Sequence, residues 1–584
     1  MPAATAKAPP VDLSHHYSRT TKNRELSAIK GFYKYFQIPG IGNLAGGLPN
    51  HNYFPFDTLE GAAALPHRFA PTPNKPVSPP IDLLTENAPS DNQSTSRVVV
   101  PKTSDLQDIL RTIDLKSALQ YGTAQGYPPL YAYLRQFTIE RMHPNIPYKD
   151  GPEIVLTCGA TDGISKSLEA LSNPWDINHD WIRDREGMLV EEYAYMNAVQ
   201  AARPRGLNII PVKIDDEGMK ADGKGGLEDV LEHWDTGRGK RPHIMYTVTI
   251  GQNPTSGVLS LTRRKAIYAL CAKYDIIIIE DDPYWYLQYP SANPNRFTSA
   301  TYDPSPSTSP KKSSGYPFLD SLVPSYLSVD TEGRVIRLDT FSKTVAPGCR
   351  LGWITTQPAL CERLLRITEC STQQPSGFVQ SIIAQLIIGP QAHEGRGGGK
   401  EDKGWKTDGW VRWLEGLRGN YERRMQSMCR ILDEGSQLVE AKGASYGHRS
   451  DAEWSLVNTT TMYSFQWPMG GMFVWVRIHF ETHPLFDDPH VSHEKLSHAL
   501  WVNLTTPKFL VLVSPGSIFS ATEDIRVESS WRYFRICFAA VDDDEVERTS
   551  RGFVEGVRDF WGKTSRDDIE ELARGERVEA PSWM

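Results

Sequence analysis

The sequence predicts an α/β protein: a large domain around a mostly parallel sheet, a smaller α+β domain, and insertions between their elements. Three observations carry this. At 584 residues the chain exceeds one average domain, long enough for two with additions. Short unbroken apolar runs, such as IVL at 154–156 and four isoleucines at 276–279, read as strands buried on both faces. Helix-patterned segments follow such runs, as where EIVLTCGATDGISKSLEAL passes through a glycine turn into a helix, and that alternation builds parallel sheets.

Taken in order, residues 1–15 are rich in proline and alanine and read as a disordered tail. Residues 16–65 form an N-terminal arm and part of the small domain. A helix is predicted between Asp12 and Phe36 from apolar spacing at Leu26, Ile29, Phe32 and Phe36. The NLAGGLPNHNYFPF stretch, with Gly46 and Gly47, is either a glycine-rich turn or a place where backbone closely approaches a ligand. Residues 66–104, rich in Pro, Ser, Asn and Thr, read as an insertion or loop. The large domain then spans 105–415, interrupted by low-complexity stretches at 290–318 and 392–409. A long helix over GWVRWLEGLRGNYERRMQSMCRILDEG leads into the small domain, 416–584, whose strands are WPMGGMFVWVRI and WRYFRICFAAV.

A formal net charge of −8 gives no basic field for nucleic acid. Seven cysteines lie scattered without a CxxC pair or metal-ligand spacing, so reduced thiols in a cytoplasmic protein, with no metal, are the economical reading. No apolar run approaches the roughly 18 residues that cross a bilayer, and MPAATAKAPPVDLSHH lacks a secretory apolar core.

The chemistry gathers in IRLDTFSKTVAPGCRLGW, residues 336–353. A strand delivering Thr340, Ser342, Lys343 and, after the Pro347-Gly348 bend, Arg350 offers two hydroxyls, an amine and a guanidinium: a phosphate clamp around a nucleophilic amine. Such a lysine must lose its proton, which needs burial or a neighbouring cation. Arg350 is assigned as that cation, and Gly348 as the residue whose positive φ turns the chain back. A surface turn with the same residues is the competing reading. Gly159, Ala160 and Thr161 open a helix after a strand, where backbone N–H groups attract anions. Asn253, before a proline at the end of a strand, is either turn chemistry or a ligand contact. Asp281 and Tyr284 emerge from the isoleucine strand, with Asp282 facing the other way; a helix cap is the alternative.

The LDTFSKTVAPGCRLGW wording resembles the cofactor-lysine motif of fold-type I, pyridoxal 5′-phosphate (PLP)-dependent aminotransferases. It is similar in particular to the fungal aromatic aminotransferase and α-aminoadipate/kynurenine aminotransferase branch. The resemblance implies a seven-stranded, mostly parallel sheet and a small domain built from both chain ends. Asp281 is then expected at the pyridinium nitrogen, Tyr284 and Asn253 at O3′, and Tyr195 against the ring face, with Tyr193 its competitor. Gly159, Ala160, Thr161, Thr340, Ser342, Lys343 and Arg350 would hold the phosphate and aldehyde end. Tyr121 would reach the phosphate of a neighbouring subunit, implying a homodimer. Arg535 would bind the substrate α-carboxylate, with Arg532 on the opposite strand face. Gly47, Lys30 and the SPGSIFS loop would lie on the substrate side. The implied activity moves an amino group from Phe, Tyr or Trp to a 2-oxo acid, 2-oxoglutarate first, with α-aminoadipate or kynurenine as alternative donors. An aminotransferase-like transcription regulator would need a DNA-binding module ahead of the Gly-Gly-Leu-Pro stretch, and the residues before Gly46 are too few for one.

Overall fold

The computed structural model describes residues 7–575 except 26, 28–34, 36, 37, 39, 43, 45, 46, 72–94, 107, 303–310, 390–403 and 442–456. Its centre is a seven-stranded sheet. The strands are β1 (Glu153–Thr157), β2 (Gly187–Glu191), β3 (Asn208–Val212), β4 (Ile244–Thr247), β5 (Ile277–Asp281), β6 (Val335–Thr340) and β7 (Gly352–Thr356). They lie in the order β1-β7-β6-β5-β4-β2-β3. Only β7 runs against its neighbours; β2 to β6 are mutually parallel.

The isoleucine run explains why β5 sits at the middle. Every residue of β5 is buried, and successive side chains leave on opposite faces. Ile277 and Ile279 pack with Ile164 and Leu168 of α1 (Ala160–Leu171). Ile276 and Ile278 pack with Ile267 and Tyr268 of α2 (Leu261–Lys273) on the other face. Helices therefore cover both sides, as a parallel sheet requires.

Where the apolar strand ends, charge begins. Arg264 Nη1 lies 2.9 Å from Glu280, and the Arg337 guanidinium reaches Glu280 and Asp282 at 3.2 Å each and Asp339 at 3.0 Å. All five side chains are buried. Burial pushes the Glu280 carboxyl up, but Arg337 and Arg264 outweigh it and hold it below its ordinary value. Burial wins at Asp339, which is pushed up to about 6. The network ties the exit of β5 to the exit of β6.

The small domain holds an antiparallel sheet of β8 (Tyr463–Phe465), β9 (Phe473–Ile478), β10 (Ser514–Pro515) and β11 (Tyr533–Cys537), ordered β8-β9-β11-β10. The long helix α3 (Lys406–Glu434) crosses from the large domain and packs Met425, Met428 and Leu432 into the core that α4 (Asp543–Trp561) closes.

Several expected boundaries move. Residues 7–15 are no disordered tail: Lys149 N donates to Ala8 O, Val11 N donates to Glu332 O, and Leu13 is buried. Ser18 N then donates to Ala170 O, so the described start of the chain straps the large domain and adds no strand to the small sheet. The helix expected to Phe36 stops at Asn23, and the spacing residues Leu26, Ile29, Phe32 and Phe36 lie outside the described residues. Within the expected 66–104 loop, Thr95–Pro101 forms a strand paired with Thr58–Ala64. The 290–318 insertion contains a helix, Pro294–Thr301, seated by Phe297 and Ala300. Trp405, assigned to the second insertion, is buried at the start of α3. In each case low-complexity wording hid a few large side chains that found a core.

Removing the shared cation of the buried network leaves carboxylates without a partner. Arg337→Ala should destabilise the fold by about 3–5 kcal/mol, read as a shift in the urea unfolding midpoint; a loss below about 1 kcal/mol would mean water reaches the network.

Candidate active site

The C-terminal ends of β5 and β6 bring Asp281, Tyr284 and Lys343 close to one another. Asp281 is 3 % exposed. Its Oδ2 accepts from the Tyr246 hydroxyl at 2.8 Å, while its Oδ1 is buried with no hydrogen-bond partner among the described residues. Burial, with Asp282 and Asp339 adding repulsion against the Tyr246 bond, pushes its carboxyl up to about 7. Asp282 turns away as alternation requires, accepting from Thr249 N at 2.8 Å and facing Arg337. One acid is locked in structure and the other presents an unanswered oxygen.

Lys343 sits on a short 3-10 turn, Phe341–Lys343, capped by the Thr340 hydroxyl, which accepts from Ser342 N. Its Nζ lies 6.0 Å from the centre of the buried Tyr284 ring. Burial holds its ammonium below the usual lysine value; the field of Cys537 opposes this, Arg535 adds to it, and Asp281 opposes it again. The cation that lowers Lys343 is therefore Arg535 and not Arg350. Burial, reinforced by Asp281, also pushes the Tyr284 phenol up.

Arg350 has another task. Its Nη2 donates to Cys158 O at 2.9 Å and its Nη1 to Pro347 O at 3.1 Å, with Ser342 Oγ at 3.4 Å. The Thr340 and Ser342 hydroxyls are 2.9 Å apart. The left-handed residue of the bend is Arg350 itself, with φ 44, and Gly348 does not supply the turn. Gly159, with φ 97, starts α1, and a Cβ there would come within 2.6 Å of Arg350 Nη2. Glycine is needed at 159 for both reasons. The hydroxyls, the guanidinium and the first N–H groups of α1 thus share one corner, with Ala160 half-buried and Thr161 exposed, a setting for an anion.

From the small domain, Arg535 on β11 donates to Asn253 Oδ1 at 2.7 Å and to Ser514 Oγ at 3.2 Å. Phe473 and Phe519 flank its guanidinium, centroids 4.2 and 4.6 Å away. Its Nε is buried without a partner among the described residues. Arg532, outside the strand, rests on Trp531. Tyr193 packs on Trp475 and Tyr533 with its hydroxyl 2.8 Å from Ser529 Oγ, which leaves half-buried Tyr195 as the aromatic beside Tyr246 and Tyr284. Tyr121 is 59 % exposed. Gly47 is exposed with nothing near its Cβ position, and Lys30 lies outside the described residues.

Sequence reasoning missed Tyr246, Ser514, Phe473, Phe519 and Cys537 as neighbours of the site. Cys537 was within reach, because it is two positions after Arg535 on one strand face. Tyr246 was not: its meeting with Asp281 depends on the β4–β5 register, in which Tyr246 stands opposite Ile279.

A doubly covered, mostly parallel sheet with a buried acid, a desolvated lysine and an arginine-lined anion corner defines a PLP-fold transferase site. Residues 80–552 match the profile of the aminotransferases of class I and II, and the chain belongs to that family, whose members depend on pyridoxal phosphate. It is 34% identical to an aromatic amino acid aminotransferase of Schizosaccharomyces pombe, over 81% of this chain and 83% of that one. It is 32% identical to the L-tyrosine:2-oxoglutarate aminotransferase atrD of Tapinella panuoides, covering 90% and 87%. In structure it is similar to aminotransferase Aro8 from Candida albicans, with TM-score 0.72 and 30% identity over 95% of this chain and all of that one. The residues present fit the cofactor: Asp281 Oδ1 lacks the partner that a protonated ring nitrogen would supply, and the Thr340 and Ser342 hydroxyls, Arg350 and the start of α1 meet at one corner of the kind that holds a phosphate.

Asp281 makes the cofactor-free fold sensitive to pH. Its folded value of about 7 lies above the ordinary 3.8, so its contribution is full below about pH 4 and is lost as pH rises through about 7. Cofactor-free Asp281→Asn should therefore gain thermal stability over the unsubstituted protein at pH 8 relative to pH 5. Equal melting differences at both pH values would contradict the assignment.

Proposed function

We propose that the chain transfers the amino group of an aromatic amino acid, phenylalanine, tyrosine or tryptophan, to a 2-oxo acid, with 2-oxoglutarate the principal acceptor. The observation that carries this reading is similarity over more than four fifths of both chains to relatives named as aminotransferases of aromatic amino acids or of L-tyrosine. The Phe473 and Phe519 rings beside Arg535 support it with apolar surface next to a carboxylate-binding group.

In this reading Asp281 meets the cofactor nitrogen, Tyr284 and Asn253 its ring oxygen, and Tyr195 its face. Gly159, Ala160, Thr161, Thr340, Ser342 and Arg350 hold its phosphate. When bound, pyridoxal phosphate supplies an electron sink for charge released at the substrate Cα. Arg535 takes the substrate carboxylate in two parallel hydrogen bonds, and its bond to Asn253 links substrate orientation to the cofactor side. Lys343, kept below its usual value, can shed its proton, remove the one on Cα and return it after the bond rearrangement. The Tyr246 hydrogen bond and a cation facing Oδ1 together favour the Asp281 charge against the cost of its burial.

The same reading includes a homodimer. Gln120 Nε2 donates to Pro49 O at 2.8 Å, joining the exposed Tyr121 to a segment where Tyr53 and Phe56 are also exposed, an apolar face suited to a second copy. We place the enzyme in the cytoplasm, where its scattered thiols stay reduced.

Lys343→Ala should abolish both the visible absorption of the cofactor-loaded protein and multiple-turnover transamination; either persisting at the original level would mean that the lysine is misassigned. In single-turnover assays, kcat/KM for Phe and Tyr should exceed that for α-aminoadipate and kynurenine by about tenfold or more. The reverse order would overturn the aromatic assignment while leaving the transaminase reading intact.

A further inference from the structure

At the other end of the sheet from Asp281, a cavity of 350 Å³ opens where the N-terminal strap crosses the large domain. His243 just before β4 and Glu186 just before β2 mark its floor, and Arg19, Lys22, Lys240 and Arg241 stand round it. The four cationic side chains belong to exposed residues. The acid in the lining is already engaged: Glu186 accepts from Asn173 N at 2.8 Å and Asn173 Nδ2 at 2.9 Å, with Lys240 Nζ 3.7 Å away. Setting Glu186 against Lys240 leaves the other three cations in excess.

Beside the cavity, His15, His16 and Asp275 offer ligand atoms within 4.8 Å of one another, the count of a metal site. The charge there argues against one. Arg334 Nη1 already holds Asp275 Oδ1 at 2.7 Å, and His15 Nε2 lies 2.6 Å from Oδ2. A divalent cation would displace those bonds and face the excess positive charge of the cavity. Burial holds His16 down to about 4 and His243 also below its usual value, so at neutral pH these rings offer hydrogen bonds without charge. Asp275 serves instead to pin the strap and aim the two rings.

We infer that this cavity binds a phosphate-bearing small molecule with at least two negative charges, bridging the strap (Arg19, Lys22) to the body (Lys240, Arg241). Guanidinium forks and ammonium groups converging from two segments suit several phosphate oxygens, and the volume exceeds what one phosphate fills. Since its ligand would join two segments, binding stabilises the strap against opening.

Isothermal titration of the cofactor-loaded enzyme with pyrophosphate tests this, because the active-site anion corner is then filled. Saturable binding at one site per chain is expected, weakening as salt is raised, with a rise in melting temperature. Arg19→Glu and Arg241→Glu should each weaken it by about tenfold or more without changing transamination. No saturable binding, or binding indifferent to both reversals, overturns the inference. So does stoichiometric Zn²⁺ binding that is lost in His15→Ala while pyrophosphate fails to bind, which would assign the group to a metal.

Discussion

A carboxylate with one oxygen left unanswered in a dry interior is the constraint on which the rest of the structure depends. Transfer of such a charge from water is costly unless a cation meets it; burial pushes the Asp281 carboxyl up to about 7, and a positive group at Oδ1 would favour its charged form. The groups nearby that could meet that oxygen are engaged elsewhere. Arg337, the strongest cation at hand, is occupied by Glu280, Asp282 and Asp339. The Tyr246 hydroxyl occupies the other oxygen and brings no charge. The neighbourhood thus suits a positively charged partner at Oδ1.

The same logic sorts the cations of the cleft. Arg350 and Arg535 are both guanidinium groups, yet their surroundings differ. Arg350 spans two backbone carbonyls and a hydroxyl at the anion corner. Arg535 is clasped between two aromatic faces with its Nε unmet. The second of these adds to the burial that holds Lys343 below its usual value, against the fields of Cys537 and Asp281. An anion that met Arg535 would weaken that contribution and leave burial to hold the amine down.

Much of this was legible in the chain, for physical reasons that differ from residue to residue. The isoleucine run announced a central strand because no half-exposed strand tolerates it, and Asp281 and Tyr284 follow from where that strand must end. Arg535 and Asn253 were legible singly, but their bond joins residues 282 positions apart, a distance over which local pattern says nothing. The strap was misread because proline and alanine suggest disorder, whereas residues 7–13 are held by backbone hydrogen bonds and one buried leucine that composition does not report. The role given to Gly348 failed for a subtler reason. Glycine is the usual occupant of left-handed backbone, but here the side chain wanted at the bend is the guanidinium, and Arg350 accepts the awkward conformation itself.

That acceptance has a consequence for how the protein can change. A non-glycine residue at φ 44 carries a conformational cost on the order of 1 kcal/mol, which a glycine at 350 would relieve. The same exchange would forfeit the guanidinium bonds to Cys158 O and Pro347 O, which offset that relief. The bend is therefore a place where backbone comfort and side-chain reach pull against each other, and the awkward torsion is kept by what the side chain joins.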